Sequence, residues 1–442
     1  MASTYLQRNT SATDTGTKFT LSVWVKRSGL DSNNAIYKAS NDNNTNSFID
    51  IGINSHRFDW QIKNGSGTTF IRRRTNRLLR DTSGWYHLVA RYDSTLGTAS
   101  DRLRLYINGV LETSIDQDST PDIPVNYSSQ LALSGVSQYI GRNINNATQF
   151  WNGSMSHYHM CVGYSYAPTE FGETDSTTGQ WKIKTSPSVS YGNNGWLILK
   201  DGNTITDQSS GSNNWSLAGG TLTQTQDNPS NNFAILNSIT PSSNNNGAGG
   251  TRHFNNSGGY DMRHSTLAVT TGKYYAEFYL ADMTGGFTIV GIQDTTQFDD
   301  YNFLTSSSRG YGYRSDGTKG NNNSSSSFGN SFTSGDTIGV AIDLDNNKIY
   351  FSKNGVWQNS GDPTSGATGT GSAYDIADGY DYCIATSSND AGTDQITDVN
   401  FGNGYFNVTA VSSAGTNASG NGIFEYDVPT GFTALSTKGL NL

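Results

Sequence analysis

Three observations predict an all-β protein made of two antiparallel β-sandwiches joined by a loop-rich segment. Short stretches with strict two-residue alternation recur along the 442 residues. Tyr (24) and Phe (19) are abundant, while amphipathic helical runs are missing. Fifty glycines, with many Asn and Ser, punctuate the chain at the intervals that turns require. Aromatic and β-branched residues suit a pleated half-buried surface, and Gly and Asn suit turns.

The strands follow in order. In 18–26, Phe19, Leu21, Val23 and Val25 alternate with Thr20, Ser22 and Trp24. In 85–93, Tyr86, Leu88, Ala90 and Tyr92 share a face. Leu103, Leu105 and Ile107 lead into Asn108-Gly109, the signature of a tight hairpin. Alternation resumes at 273–280, 287–292, 337–344 and 348–352, where Ile338, Val340 and Ile342 are expected to face a core. Between the two sets, 201–265 is rich in Gly, Ser and Asn and is expected to be a connecting segment. The expected organisation is a first sandwich over 1–200, the connection over 201–265, a second sandwich over 266–403, and a C-terminal extension over 404–442 that packs on the second sandwich.

Charge is uneven. Residues 1–225 carry 19 basic and 17 acidic side chains, and 226–442 carry 9 and 20. An acidic second half argues against nucleic-acid binding, which needs a basic stripe. Two distant cysteines, Cys161 and Cys383, permit no disulfide framework and are expected to be small core residues. No apolar run is long enough for a membrane span, and the first 20 residues lack the apolar stretch of a signal peptide. Release by lysis, or as part of a particle, is the expectation if the protein works outside a cell.

The first half resembles the laminin-G/concanavalin A-like jelly roll. The resemblance lies in Phe19–Lys26, Gly84-Trp85-Tyr86-His87-Leu88-Val89, Leu103–Gly109, Ile140-Gly141-Arg142 and Trp151-Asn152-Gly153. The second half resembles the SPRY domain. Gly272–Phe278, Val290-Gly291-Ile292, Gly310–Tyr313, Gly335–Asp343, Ile349–Gly355 and Asn400-Phe401-Gly402 fall in the family's order. Ala276 stands where that family usually has a large aromatic, a gap that Tyr274 or Tyr279 would fill. Phe171-Gly172-Glu173-Thr174-Asp175, Gly195-Trp196-Leu197, Asn213-Asn214-Trp215, Asn231–Ala234 and Val428–Leu435 are similar to virion proteins of tailed, marine-type bacteriophages. That likeness implies a place on the particle surface.

Candidate chemistry is sparse. Glucanases of the concanavalin A-like fold carry a Glu-x-Asp-x-x-Glu strand. Here there are only five Glu, and Glu170, Glu173 and Asp175 lack that spacing, so no enzyme activity is expected. His157 and His159 stand two apart in a strand and would share a face, as a solvent-facing pair or with a third ligand as a metal site. No cofactor is expected. Calcium is the cation that Asp42, Asn43, Asp116 and Asp118 would suit, although such residues are also ordinary turn formers. Trp60, Trp151, Tyr311, Tyr313 and Trp357 lie near Asn-, Asp- and Gly-rich loops and are the candidates for stacking on a sugar, the alternative being core positions. The loops 299–309 and 315–331 would form the SPRY partner surface. Arg72, Arg73, Arg74, Arg77 and Arg80 form a basic run with no acidic run beside it in sequence. It is either an exposed strand or a docking patch for an acidic surface, including the acidic half of another copy in a homo-oligomer.

These features imply a virion surface protein of fibre type that binds a host surface glycan or protein for attachment. A purely structural decoration or tail protein docking on other virion proteins is the alternative, and a polysaccharide depolymerase is a second.

Overall fold

The computed structural model describes residues 3–40, 48–63, 69–118, 123–143, 148–200, 204–238, 248–256, 259–298, 302–389 and 394–441. It divides into two units, Met1–Gln224 and Thr225–Leu442. Both are antiparallel β-sandwiches, as the alternation predicts.

In the first unit an eight-stranded sheet runs in the order Ile115–Asp118, Thr69–Leu78, Arg57–Lys63, Phe48–Asn54, Asn33–Ser40, Ser137–Ile140, Tyr5–Asn9, Ser216–Gly219. It faces a six-stranded sheet ordered Trp196–Ile198, Gly153–Val162, Lys18–Arg27, Tyr86–Asp93, Leu103–Ile107, Val110–Leu111. One side of each strand fills the space between. Phe19, Leu21, Val23 and Val25 pack with Ile49, Ile51, Ile53, Phe58, Trp60, Leu88, Ala90 and Leu105 in one buried cluster. Full burial of each such aliphatic side chain contributes about 1.5–3 kcal/mol.

In the second unit one sheet runs Arg252–Asn255, Gln395–Asn400, Lys273–Met283, Thr337–Asp343, Lys348–Lys353, Val356–Trp357. The other runs Tyr260–Val269, Tyr382–Asn389, Phe287–Asp294, Gly310–Arg314, Thr318–Asn321, Ser324–Ser327. Ile338, Val340 and Ile342 are fully buried between them with Phe278, Val290, Ile292 and Phe351. Ala276 lies in the same cluster beside Tyr274, whereas Tyr279 stacks on Phe406. The C-terminal segment lies on the first of these sheets. Phe424, Val428, Phe432 and Ala434 pack on its outer residues Tyr275, Ala341 and Tyr350, and Thr433–Ala434 pairs in parallel with Tyr274–Tyr275.

The described residues of 201–265 belong to the two units rather than to a connection between them. Trp215 is buried edge-on against Trp196, with ring centroids 4.9 Å apart, and Ser216–Gly219 pairs with Tyr5–Asn9. Beyond the division, Phe233–Leu236 is buried, and Arg252–Asn255 and Tyr260–Val269 are strands of the second unit. Their sequence hides this because their buried positions are polar. His253, Asn255, Asp261 and Arg263 are each no more than 1% exposed. Asp261 accepts from Arg263 at 2.9 Å and lies 3.3 Å from His253 Nε2, while Asn255 donates to the Gly259 carbonyl. Buried polar groups persist when they are paired in this way.

Candidate binding surfaces

The five aromatic candidates do not form an exposed stacking surface. Trp60 and Tyr313 are wholly buried, and Trp151 and Tyr311 are nearly so. The alternation of their strands turns Trp60, Tyr311 and Tyr313 inward, where aromatic burial contributes most, and Trp151 is buried from the loop before Gly153–Val162. Tyr313 stacks among Phe328, Phe332 and Phe351, and Trp60 packs on Phe19 and Tyr92. Trp357 is half-buried against Tyr275, in the cluster that includes the C-terminal segment.

The basic run is neutralised within its own sheet. Arg72 holds Asp59 of the neighbouring strand with three hydrogen bonds of 2.9–3.2 Å. Arg74 donates to Asp116 at 2.7 Å and to Asn54 at 2.9 Å, and Arg77 pairs with Glu112 at 3.0 Å. Arg73 points inward and donates to the carbonyls of Ser100 and Leu103. Arg80 is exposed. The compensating acids are remote in sequence and brought alongside by register, so the premise of an uncompensated patch does not hold. Asp116 is thereby engaged by arginine rather than presented to calcium. Asp42 and Asn43 lie outside the described residues, as does the side chain of Asp118.

The two histidines do not form a pair. A register shift between Ser156 and His159 puts His157 at φ 47° and breaks the alternation. His159 is buried against Phe171 and Tyr191. Among the described residues, no three His, Cys, Asp or Glu side chains gather into a metal site. Glu173 and Asp175 share Lys182 at 3.4 and 3.2 Å. Both cysteines are free and buried, and burial pushes both thiols up, Cys383 to about 12.

Each unit covers an outer sheet face with chain that follows its strands, and each cover is fastened by a buried ionisable group. In the first unit the hairpin Gly172–Thr174/Trp181–Ile183 sets Trp181 on the six-stranded sheet. The Trp181 indole N–H donates to His87 Nδ1 at 2.9 Å, and the His87 ring is stacked between Trp24 and Trp181. Because Nδ1 accepts, the proton sits on Nε2, which lies 2.8 Å from Ser22 Oγ. Burial pushes His87 down to about 3. A Cβ at Gly109 would come within 2.5 Å of the Trp181 ring, so only glycine admits it there. In the second unit Glu277 is fully buried on the outer face of its sheet. It accepts from the backbone N–H of Glu425 and of Tyr426, both at 2.8 Å, and from Asn400 at 3.3 Å and the Tyr275 hydroxyl at 3.2 Å. Desolvation outweighs these donors and raises its carboxyl to about 7.

A different surface holds open aromatic and polar groups together. On the outer face of the second unit's six-stranded sheet, Tyr260, Asn389 and Phe287 are direct neighbours across three strands. Phe303 from the following loop lies on them, its ring 4.3 Å from Tyr260 and 5.8 Å from Phe287. The Arg314 guanidinium lies 4.4 Å from the Phe287 ring centre and 6.0 Å from that of Phe303. The loop reaches the sheet because the floor is bare. A Cβ at Gly312 would stand 2.5 Å from Ile289 Cγ2 and 2.9 Å from Thr305 Cγ2. Leu304 N–H donates to Ser387 Oγ at 3.1 Å, pinning the turn. Tyr260 remains 43% exposed. The sequence pointed to part of this loop, within 299–309, but not to Tyr260, Phe287, Arg314 or Asn389. Cross-strand register unites them, and no single stretch of sequence displays it.

Comparison with known proteins agrees with these two units. A family model for the concanavalin A-like lectin/glucanases superfamily matches residues 1–161, and the SPRY domain model matches residues 273–374. The chain therefore contains a laminin-G/concanavalin A-like domain and a SPRY domain. The ATP-dependent RNA helicase DDX1 of Xenopus laevis is 37% identical over 91 residues, which is 21% of this chain and 12% of the helicase. The SPRY domain of human HERC1 is similar at 24% identity and a TM-score of 0.27, covering 34% of this chain and 87% of that one. A second human SPRY domain is similar at 16% identity and a TM-score of 0.24, covering 33% and 96%.

Proposed function

We propose that this chain is a non-catalytic attachment protein on the surface of a tailed-phage particle, recognising a host surface glycan or protein. The observation that carries the reading is the shelf of Tyr260, Phe287, Phe303, Arg314 and Asn389. An exposed ring, Tyr260, over two half-buried rings and beside polar groups is what a recognition surface needs. The particle assignment rests on the phrases at 171–175, 195–197, 213–215, 231–234 and 428–435, with other virion proteins as partners. The test has two arms. The purified chain is screened against host surface polysaccharides and proteins, and the chain is located in intact particles. Binding that Tyr260→Ala abolishes, by a protein found on the particle, is expected. A particle protein that binds no host component would be a structural decoration, and release of new reducing ends would make it a depolymerase.

A further inference from the structure

Arg314 differs from the other arginines of its unit. Arg252 and Arg263 hold carboxylates at 2.7 and 2.9 Å, and Arg309 holds Asp294. Arg314 approaches Asp316 only to 3.7 Å, beyond hydrogen-bond distance, and its buried Nε has no hydrogen-bond partner among the described residues. Its side chain is 22% exposed. Its planar face is spent on the Phe287 ring, which leaves the edge of the guanidinium with donors to offer. An arginine held this way has lost most of its freedom in advance, so less entropy opposes the next contact.

Two further groups of the same shelf, on the far side of Phe287 from Arg314, have no hydrogen-bond partner among the described residues: the Tyr260 hydroxyl and the Asn389 side-chain amide. Each lies on the same sheet face as the rings, Asn389 between Tyr260 and Phe287. A guanidinium edge asks for a planar anion, and carboxylate fits it with two parallel bonds. An amide and a phenol ask for hydroxyls. Rings ask for a flat apolar face. A sugar ring bearing a carboxylate supplies all three, because its axial C–H groups form the apolar face and its rim carries the hydroxyls and the acid.

We infer that the shelf is a subsite for a carboxylated sugar, with Arg314 holding the carboxylate, Asn389 and Tyr260 the hydroxyls, and Phe303 with Tyr260 the apolar face. The inference rests on the attachment reading and names the ligand class for its site. The acidic character of the second half makes it specific. A surface with 9 basic and 20 acidic residues over 226–442 does not attract polyanions at large, so recognition depends on this arginine, the one in its unit that its carboxylate holds least closely.

The test uses the full chain and four probes, polygalacturonate, alginate, hyaluronate and polysialic acid, each beside its carboxyl-reduced form. At least one acidic polymer is expected to bind more than tenfold tighter than its reduced counterpart. Arg314→Lys, which keeps the charge but loses the fork, should forfeit at least tenfold of that affinity, and Tyr260→Phe and Asn389→Ser should each forfeit several-fold. Thermal melting checks that each variant is folded. If Arg314→Lys is unfolded, the other two variants decide, and unchanged affinity in both overturns the assignment. Equal binding of acidic and reduced polymers overturns the acidic-sugar subsite while leaving glycan attachment standing. No binding to any polymer, acidic or reduced, overturns the subsite, and the screen of host polysaccharides and proteins then decides the attachment reading by itself.

Discussion

The cations on the eight-stranded sheet of the first sandwich and Arg314 on the second sandwich all stand on sheet faces, but register treats them differently. On the eight-stranded sheet Lys38 lies over Phe48 and pairs with Asp50 at 3.1 Å, Arg72 pairs with Asp59, and Arg74 with Asp116. The cations shown there have acids on adjacent strands. On the second sandwich Arg314 has rings beneath it and a carboxylate that stops short at 3.7 Å. A dense run of like charge is therefore a closed ladder, and an isolated arginine is the open one. Loosely held donors, rather than charge density, are therefore the basis of binding in the subsite proposed above.

Both surfaces stand on packed cores, which sets the largest expected effect. Ile342→Ala should cost about 2–5 kcal/mol, the range for removing a large buried aliphatic side chain. In calorimetry it should lower one transition and leave a second, from the first unit, in place. A loss below about half a kcal/mol would mean the second sandwich does not depend on this position.

Acid should separate the units next. His87 is neutral when folded and charges when unfolded, so its contribution is present above about pH 6.5 and is lost as pH falls toward 3. The loss reaches about 2 kcal/mol by pH 5. His159, also pushed down by burial, acts in the same direction. Glu277 has the opposite sign. Its raised carboxyl binds a proton more readily when folded, so its contribution is full below about pH 4.5 and is lost as pH rises through 7. His264, lowered by burial, offsets part of that gain in the same unit. Melting at pH 7 and pH 5 should show the first unit losing more stability. Replacing His87 with Gln should flatten its response, and equal losses in both units would break the contrast.

Reversing the ladder should do less. Arg72→Glu with Arg74→Glu sets new carboxylates against Asp59 and Asp116 and should cost about 1–3 kcal/mol in the first unit. Oligomeric state at low and high salt should not change. A salt-dependent loss of self-association would restore the docking patch. Division at the boundary of the two units should change least. Fragments 1–224 and 225–442 should each keep a cooperative transition near that of the intact chain, whereas division between 236 and 265 should unfold the second, because it removes Phe233–Leu236 and strands from its sheets.

The alternating elements were legible from sequence because their buried faces are apolar. Phe19 to Val25 and Ile338 to Ile342 announce both strand and side. Arg252–Asn255 and Tyr260–Val269 were not legible, since His253, Asn255, Asp261 and Arg263 put polar groups where alternation expects apolar ones. Aromatic candidates failed for a related reason. Proximity to a polar loop in sequence does not say which way a ring points, and Trp60 and Tyr313 point inward. The shelf was hidden because its members come from 260, 287, 303, 314 and 389, and only pairing across strands sets them side by side.

The contrast between closed and open arginines is tested most directly by one binding series on the full chain. Polygalacturonate, alginate, hyaluronate and polysialic acid are each titrated against the unaltered chain, against Arg72→Gln with Arg74→Gln, and against Arg314→Gln, at a single ionic strength. The account predicts unchanged affinity for the ladder variant and at least a tenfold loss for Arg314→Gln. A loss confined to the ladder variant, with Arg314→Gln binding as the unaltered chain does, would contradict it.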